Sequence, residues 1–296
     1  MSDCNMLAIE FEGAEGNILR GDIAGHDHEE GNDIVLFLHG GGQTRHAWKG
    51  TAQEFAASGR TAITLDARGH GESDHVPSGR YRFDHFAEDV NAVLEQITAR
   101  YGRPIVVGAS MGGLSSMLAH KMRVETGRSA GFDALVLVDI VPDMAASGID
   151  RILSFMSDGL EAGFASVEDA AETVAAYLPN RSAKGSVRGL AKNLRQREDG
   201  RFVWHWDPNF VRGPNAIITG ENNTAEAFNR AADTLDMPVL LIRGGRSDLV
   251  TPEAAQAFLN RVKQARFVDV SDAGHMVAGD RNDVFGEAVR EFLDAL

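Results

Sequence analysis

Apolar positions along this chain follow two patterns that alternate over most of its length. One is a short continuous run of Val, Ile and Leu, and the other spaces apolar residues three and four apart. The runs at Ile34–Leu38, Thr61–Leu65, 103–108, Ala134–Val138, 238–242 and Ala265–Val270 predict strands buried on both faces. Ahead of them, 6–11 and 17–24 read as an antiparallel pair joined by a Gly-containing turn. Between the runs, Phe83, Phe86, Val90, Val93, Leu94 and Ile97 form one apolar stripe on a helix over 83–100. Thr251-Pro252-Glu253 starts another, with a hydroxyl cap, Pro at the first position and then an acid. Strand alternating with helix predicts an α/β fold, a mostly parallel eight-stranded sheet flanked by helices.

The alternation breaks between 142 and 235. Helices are expected there at 148–162, at 167–178 and near 186–197, with no clear buried strand. The stretch is too long for an ordinary loop, so it reads as an inserted helical cap over 142–235, on a core made of 1–141 and 236–296. Trp204 and Trp206, with Phe202 and Phe210, either pack that small layer or wall an acyl or ring pocket. Arg181, Lys184, Arg188, Lys192 and Arg195 step by three and four, a basic stripe that is either a solvated helix face or one that meets an anionic substrate.

Composition narrows the classes. A length of 296 residues allows one large domain or two ordinary ones. A net charge of −14 argues against nucleic-acid binding, which needs clustered Lys and Arg. The single cysteine, Cys4, excludes an intrachain disulfide and a thiolate metal cluster. The first residues lack the basic and apolar regions of a signal peptide, and no apolar run is long enough to span a bilayer. The expectation is a cytoplasmic protein with no membrane partner. His26-Asp27-His28-Glu29-Glu30 reads as a solvated loop rather than a metal site, and no metal or organic cofactor is expected.

The chemistry gathers at Gly108-Ala109-Ser110-Met111-Gly112, a G-x-S-x-G pattern between a predicted strand and a predicted helix. A nucleophilic serine there sits on a sharp turn that flanking glycines permit, and the helix N-terminus with the Met111 N–H favours a developing oxyanion. The run His39-Gly40-Gly41-Gly42, after the strand Ile34–Leu38, offers a second donor, with Gly41 preferred and Gly42 next. A serine hydroxyl needs a base. Of the ten histidines, His275 is best placed, in the loop after the last strand, at the sheet edge where sites of open α/β folds collect. Asp248, after the penultimate strand, is the expected acid, because the order Ser, Asp, His then runs along the chain. Asp139, at the end of Ala134–Val138, competes with it, and Asp272 reads as a turn cap.

On these motifs, and on Asp66-Ala67-Arg68-Gly69-His70-Gly71-Glu72-Ser73, the chain resembles the α/β-hydrolases along almost its whole length. The resemblance implies that the D-x-R-G-x-G-x-S stretch is a structural loop pinned by Arg68 and Asp66, so that His70 is not catalytic. It also implies a helical cap after the sixth strand. Similar proteins include carboxylesterases, lactonases, C–C bond hydrolases and perhydrolases, while a serine at the elbow is unlike the Asp of epoxide hydrolases and haloalkane dehalogenases. The expected function is cleavage of a small-to-medium carboxylic ester through an acyl-enzyme. A lactone or C–C substrate on the same triad is the alternative, and a non-catalytic ligand-binding relative the remaining one.

Overall fold

The computed structural model describes residues 5–25, 33–177, 190–275 and 282–296. Eight strands form one sheet: β1 (Leu7–Glu12), β2 (Ile18–Ala24), β3 (Ile34–Leu38), β4 (Thr61–Leu65), β5 (Ile105–Ala109), β6 (Ala134–Val138), β9 (Val239–Gly244) and β10 (Ala265–Val270). Their order is β1-β2-β4-β3-β5-β6-β9-β10. β1 pairs antiparallel with β2, and β2 antiparallel with β4. From β4 to β10 every pairing is parallel, so both sheet faces must be covered by helices.

The continuous apolar runs explain why. In β3, Leu36 and Leu38 join a core layer on one face while Val35 and Phe37 join the layer on the other. One layer is closed by α2 (Phe83–Tyr101), which buries the predicted stripe of Phe83, Phe86, Val90, Val93, Leu94 and Ile97, and by α3 (Met111–Glu125). The other is closed by α1 (Lys49–Ala57) and by α9 (Asn282–Leu293), with Trp48, Phe55, Phe285 and Phe292 in its centre. The predicted start of α8 (Pro252–Arg261) is present, with the Thr251 hydroxyl accepting from the Ala254 N–H. β4 and β5 lie on opposite sides of β3. The chain therefore reverses its direction of winding there, and a crevice opens at the carboxyl ends of β3 and β5.

Between β6 and β9 the chain leaves the sheet. It forms α4 (Ala146–Ser157), α5 (Val167–Tyr177), a small antiparallel pair β7 (Leu194–Gln196) and β8 (Phe202–Trp204), then α6 (Asn209–Arg212) and α7 (Ala225–Ala232). Two expectations need correction. The first helix ends at Ser157 rather than 162, because the chain turns at Asp158 and Gly159, the latter with φ 71°. Of the helix expected near 186–197, the described residues keep a helical turn at Leu190 and the 3-10 turn Ala191–Asn193, after which Leu194–Gln196 is a strand. Arg197-Glu198-Asp199-Gly200-Arg201 closes a hairpin there, with Gly200 at φ 81° and the Arg197 N–H donating to the Arg201 carbonyl. A Gly with positive φ between two short apolar runs is a hairpin signal that the spacing of basic residues masked. Arg181, Lys184, Arg188 and the 26–30 loop lie outside the described residues.

Candidate active site

Ser110 joins β5 to α3 with φ 45° and ψ −113°, a conformation that L-residues adopt only when the surroundings impose it. The imposition is steric. A Cβ on Gly108 would stand 2.6 Å from the Gly113 nitrogen, and one on Gly112 would stand 2.7 Å from the Leu38 carbonyl oxygen. Only glycines let strand, elbow and helix approach so closely. The Ser110 N–H donates to the Val138 carbonyl at 3.2 Å, which ties the elbow to β6.

His275 follows β10 in a half-buried loop. That loop crosses the end of β9 so tightly that a Cβ on Gly244 would lie 2.1 Å from the Gly274 carbonyl oxygen. The imidazole Nδ1 is 2.7 Å from Oδ2 of Asp139. Asp139 is fully buried at the end of β6, with φ 48°. Its carboxylate is held from several sides: Oδ1 accepts from the Gly244 N–H at 2.8 Å, and Oδ2 accepts from the Ser247 hydroxyl at 2.5 Å. Ser247 in turn accepts from the Leu249 and Val250 N–H groups. These donors fix the carboxylate with Oδ2 facing the ring, so Nδ1 of His275 carries the proton that it receives. The Nε2 edge is then the one left for Ser110, and both residues border the same cavity.

The expected acid, Asp248, is not brought to His275. Its carboxylate is 44% exposed and pairs with Arg151 of α4 at 2.6 Å. The reason is local: Ser247 turns inward to Asp139, so the next side chain projects the other way, toward the inserted segment. Asp272 likewise pairs with Arg246 at the surface.

The glycine loop after β3 lies on the far side of Ser110. The Gly40 N–H donates to Gln43 Oε1 and the Gly42 N–H to Nε2 of His70. The Gly41 N–H has no partner among the described residues. Met111 opens α3, so its N–H has no carbonyl one turn back to bond. Gly41, Gly42, Met111, Trp204 and Trp206 all border the cavity, the two indoles stacked with centroids 4.8 Å apart.

Three buried imidazoles brace this glycine loop. His39 accepts from the Ala67 N–H through Nε2 and donates through Nδ1 to the Gly40 carbonyl. His70 accepts from Gly42 and donates to the Arg68 carbonyl at 3.0 Å. His205, from the inserted segment, accepts from the Gly71 N–H at 2.8 Å and donates to the Gly42 carbonyl at 3.3 Å. Each ring uses one nitrogen as an acceptor, which a protonated imidazole cannot supply. Burial is also the largest cause holding all three below the usual histidine range, His70 well below it and His205 at about 3. Beneath them, Arg68 forks onto Asp89 at 2.6 and 2.7 Å, and Asp66 accepts from the Arg45 and Glu72 N–H groups. Sequence reasoning missed His205 and Ser247. Nothing in their spacing signals either role, because both act on groups remote in the chain.

The cavity beside Ser110 measures about 750 Å³. Its walls come from the sheet edge, from α4, α5 and α7, and from Trp204, Trp206 and Phe210.

Known proteins share this architecture. The esterase Rv0045c of Mycobacterium tuberculosis is 29% identical over 88% of this chain and 82% of its own length. Its solved structure matches with a TM-score of 0.75 over 99% of this chain and 93% of that one, at 26% identity. The sn-1-specific diacylglycerol lipase ABHD11 of Mus musculus is 27% identical over 88% of this chain and 80% of its length. The structure of an E-2-(acetamidomethylene)succinate hydrolase, 20% identical, shares the fold with a TM-score of 0.80 over 98% of this chain and all of that one. A model of the alpha/beta hydrolase fold matches residues 33–281. With its parallel sheet, its strained serine elbow and a family match over most of its length, the chain belongs to the α/β-hydrolase family.

Proposed function

We propose that the chain is a serine esterase in which Ser110 is the nucleophile, His275 the base and Asp139 the acid. The observation that carries the reading is the 2.7 Å contact of His275 Nδ1 with a buried, multiply bonded Asp139, beside the cavity that Ser110 borders. Ser110 Oγ attacks the ester carbonyl while His275 Nε2 takes its proton, and Asp139 stabilises the imidazolium. The Gly41 and Met111 N–H groups receive the oxyanion. His275 then protonates the departing alcohol, leaving an acyl-enzyme. Water repeats the cycle, giving its proton to His275 and its oxygen to the acyl carbon. The segment between β6 and β9 acts as a cap that roofs the substrate. The named relatives fit the reading, being an esterase and a lipase.

A fluorophosphonate probe and p-nitrophenyl esters test it. Wild type should label at Ser110, as read by intact mass and peptide mapping. Ser110→Ala should not label and should lose ester turnover by a factor on the order of 10⁴ or more. Turnover retained by a folded Ser110→Ala variant removes the reading. Labelling without turnover of any ester points instead to a lactone or C–C substrate.

A further inference from the structure

We infer that the substrate is an uncharged ester with a long, unbranched acyl chain that lies along the cap helices α4 and α5. The inference rests on the serine-esterase reading above. Its starting point is an imbalance in α4. Ile149, Ile152, Leu153 and Met156 fall on one face at steps of three, one and three, yet only Met156 is buried. The others are half-buried: they pack against the core on one side and border the cavity on the other. On α5, Ala171, Val174 and Ala175 repeat the pattern, again beside the cavity and again not buried. An apolar stripe left partly uncovered beside the nucleophile is surface that an apolar ligand would cover with a gain in free energy.

Shape and size set the kind of ligand. The α4 stripe spans eight residues, roughly 10 Å along a helix, and the small side chains of Ala171 and Ala175 on α5 border the same cavity. Two helical stripes favour an elongated occupant. The volume of about 750 Å³ corresponds to roughly twenty or more non-hydrogen atoms, taking about 30 Å³ for each, as for a liquid water. Met144 and Met156, unbranched and adaptable, let the walls follow chains of differing length.

Charge sets the rest. Among the described residues, neither Lys nor Arg borders the cavity. Its ionisable walls are Glu172, His275 and Tyr177, and burial pushes the Tyr177 hydroxyl up to about 12, so it stays neutral. A carboxylate or phosphate on the acyl chain would meet no counter-charge there. The remaining polar groups, Asn193, Asn223 and Thr224 among them, are uncharged.

The test is a chain-length series of p-nitrophenyl esters, acetate to laurate, kept below their aggregation limits, with active sites counted by fluorophosphonate titration. The expected result is a kcat/KM that climbs about fourfold per added methylene until the cavity is filled. Ala171→Trp should bring the plateau to shorter chains and lower the laurate-to-acetate ratio at least tenfold. An ester whose acyl chain ends in a carboxylate should react at least tenfold more slowly than its neutral counterpart of equal length. Enzyme that labels at Ser110 but prefers acetate, or an unchanged ratio in the titrated Ala171→Trp variant, overturns the chain assignment and leaves the esterase reading standing. Equal rates for the charged and neutral esters overturn the neutrality. Absence of labelling at Ser110 in folded wild type removes both the esterase reading and this inference.

Discussion

The two sides of Ser110 are built on opposite principles. On the side of the glycine loop, the Gly40 and Gly42 amides and carbonyls are bonded, three buried imidazoles brace the loop, and the Gly41 N–H has no partner among the described residues. On the side of α4 and α5, the walls carry apolar side chains that the other described residues cover only in part. Dipoles must already point at the oxygen before charge arrives, or their reorientation adds to the barrier. Dispersion and desolvation make no such demand on orientation, so an apolar wall needs only the right volume. On the proposed function, the first side would govern rate for every substrate, and the second which substrate is chosen.

The largest test of that contrast lies in the acid. Asp139→Asn should lower kcat on the order of 10⁴-fold by leaving His275 in the wrong tautomer. Asp248→Asn should change kcat less than about threefold, since its exposed ion pair with Arg151 is worth under about 1 kcal/mol. Steady-state kinetics on one soluble ester decide it, and a larger loss in Asp248→Asn would return the acid to the β9 loop.

A smaller effect is expected from His205→Phe, which keeps the ring volume but removes the bonds to Gly42 and Gly71. Turnover should fall about tenfold, less than the 10²–10³ lost with an oxyanion donor. The loss should be equal for short and long acyl chains. A change confined to long chains would show that His205 serves the apolar side instead.

The smallest expected effect is on stability against pH. His39, His70 and His205 are held below the ordinary histidine value of about 6.5 mainly by burial. Above that value both folded and unfolded chains are neutral at these positions, and stability is full. As pH falls, the unfolded chain takes up protons that the folded one refuses, so stability declines. For His205 the window runs from about 6.5 down to about 3, with a slope of up to about 1.4 kcal/mol per pH unit. Urea midpoints between pH 6.5 and 5 should fall less steeply in His205→Phe than in wild type.

Much of this was legible in the sequence, for reasons that are physical. A strand buried on both faces has to be apolar throughout, so β3, β4 and β6 appear at their observed bounds in the hydrophobic runs. β10 keeps its bounds but, as the edge strand, leaves Arg266, Phe267 and Asp269 exposed instead of being buried on both faces. A serine elbow needs glycines where backbones touch, and Gly108 and Gly112 stand there. The acid was less legible. Loop position says that an aspartate reaches the right sheet edge, and both Asp139 and Asp248 satisfy that. Which one faces His275 depends on the φ of Asp139 and on Ser247 turning inward, and neither is written in residue spacing. The hairpin at β7 and β8 was hidden for a similar reason, because basic residues at helical steps also fit a strand with exposed side chains.

That Asp139 pairs with His275 while Asp248 pairs with Arg151 has a modular consequence. The proposed nucleophile and acid follow adjacent strands, β5 and β6, and both precede the inserted segment. The loop after β9 thereby keeps only a supporting duty through Ser247, and its Asp248 is free to anchor α4. For protein engineering this makes residues between β6 and β9 an exchangeable cassette. A transplanted segment would have to reproduce its ties to the core, among them Arg151 with Asp248, Asp233 with Arg261, Asp207 with Tyr81 and the imidazole at 205, while the proposed proton-transfer pair stays with the host.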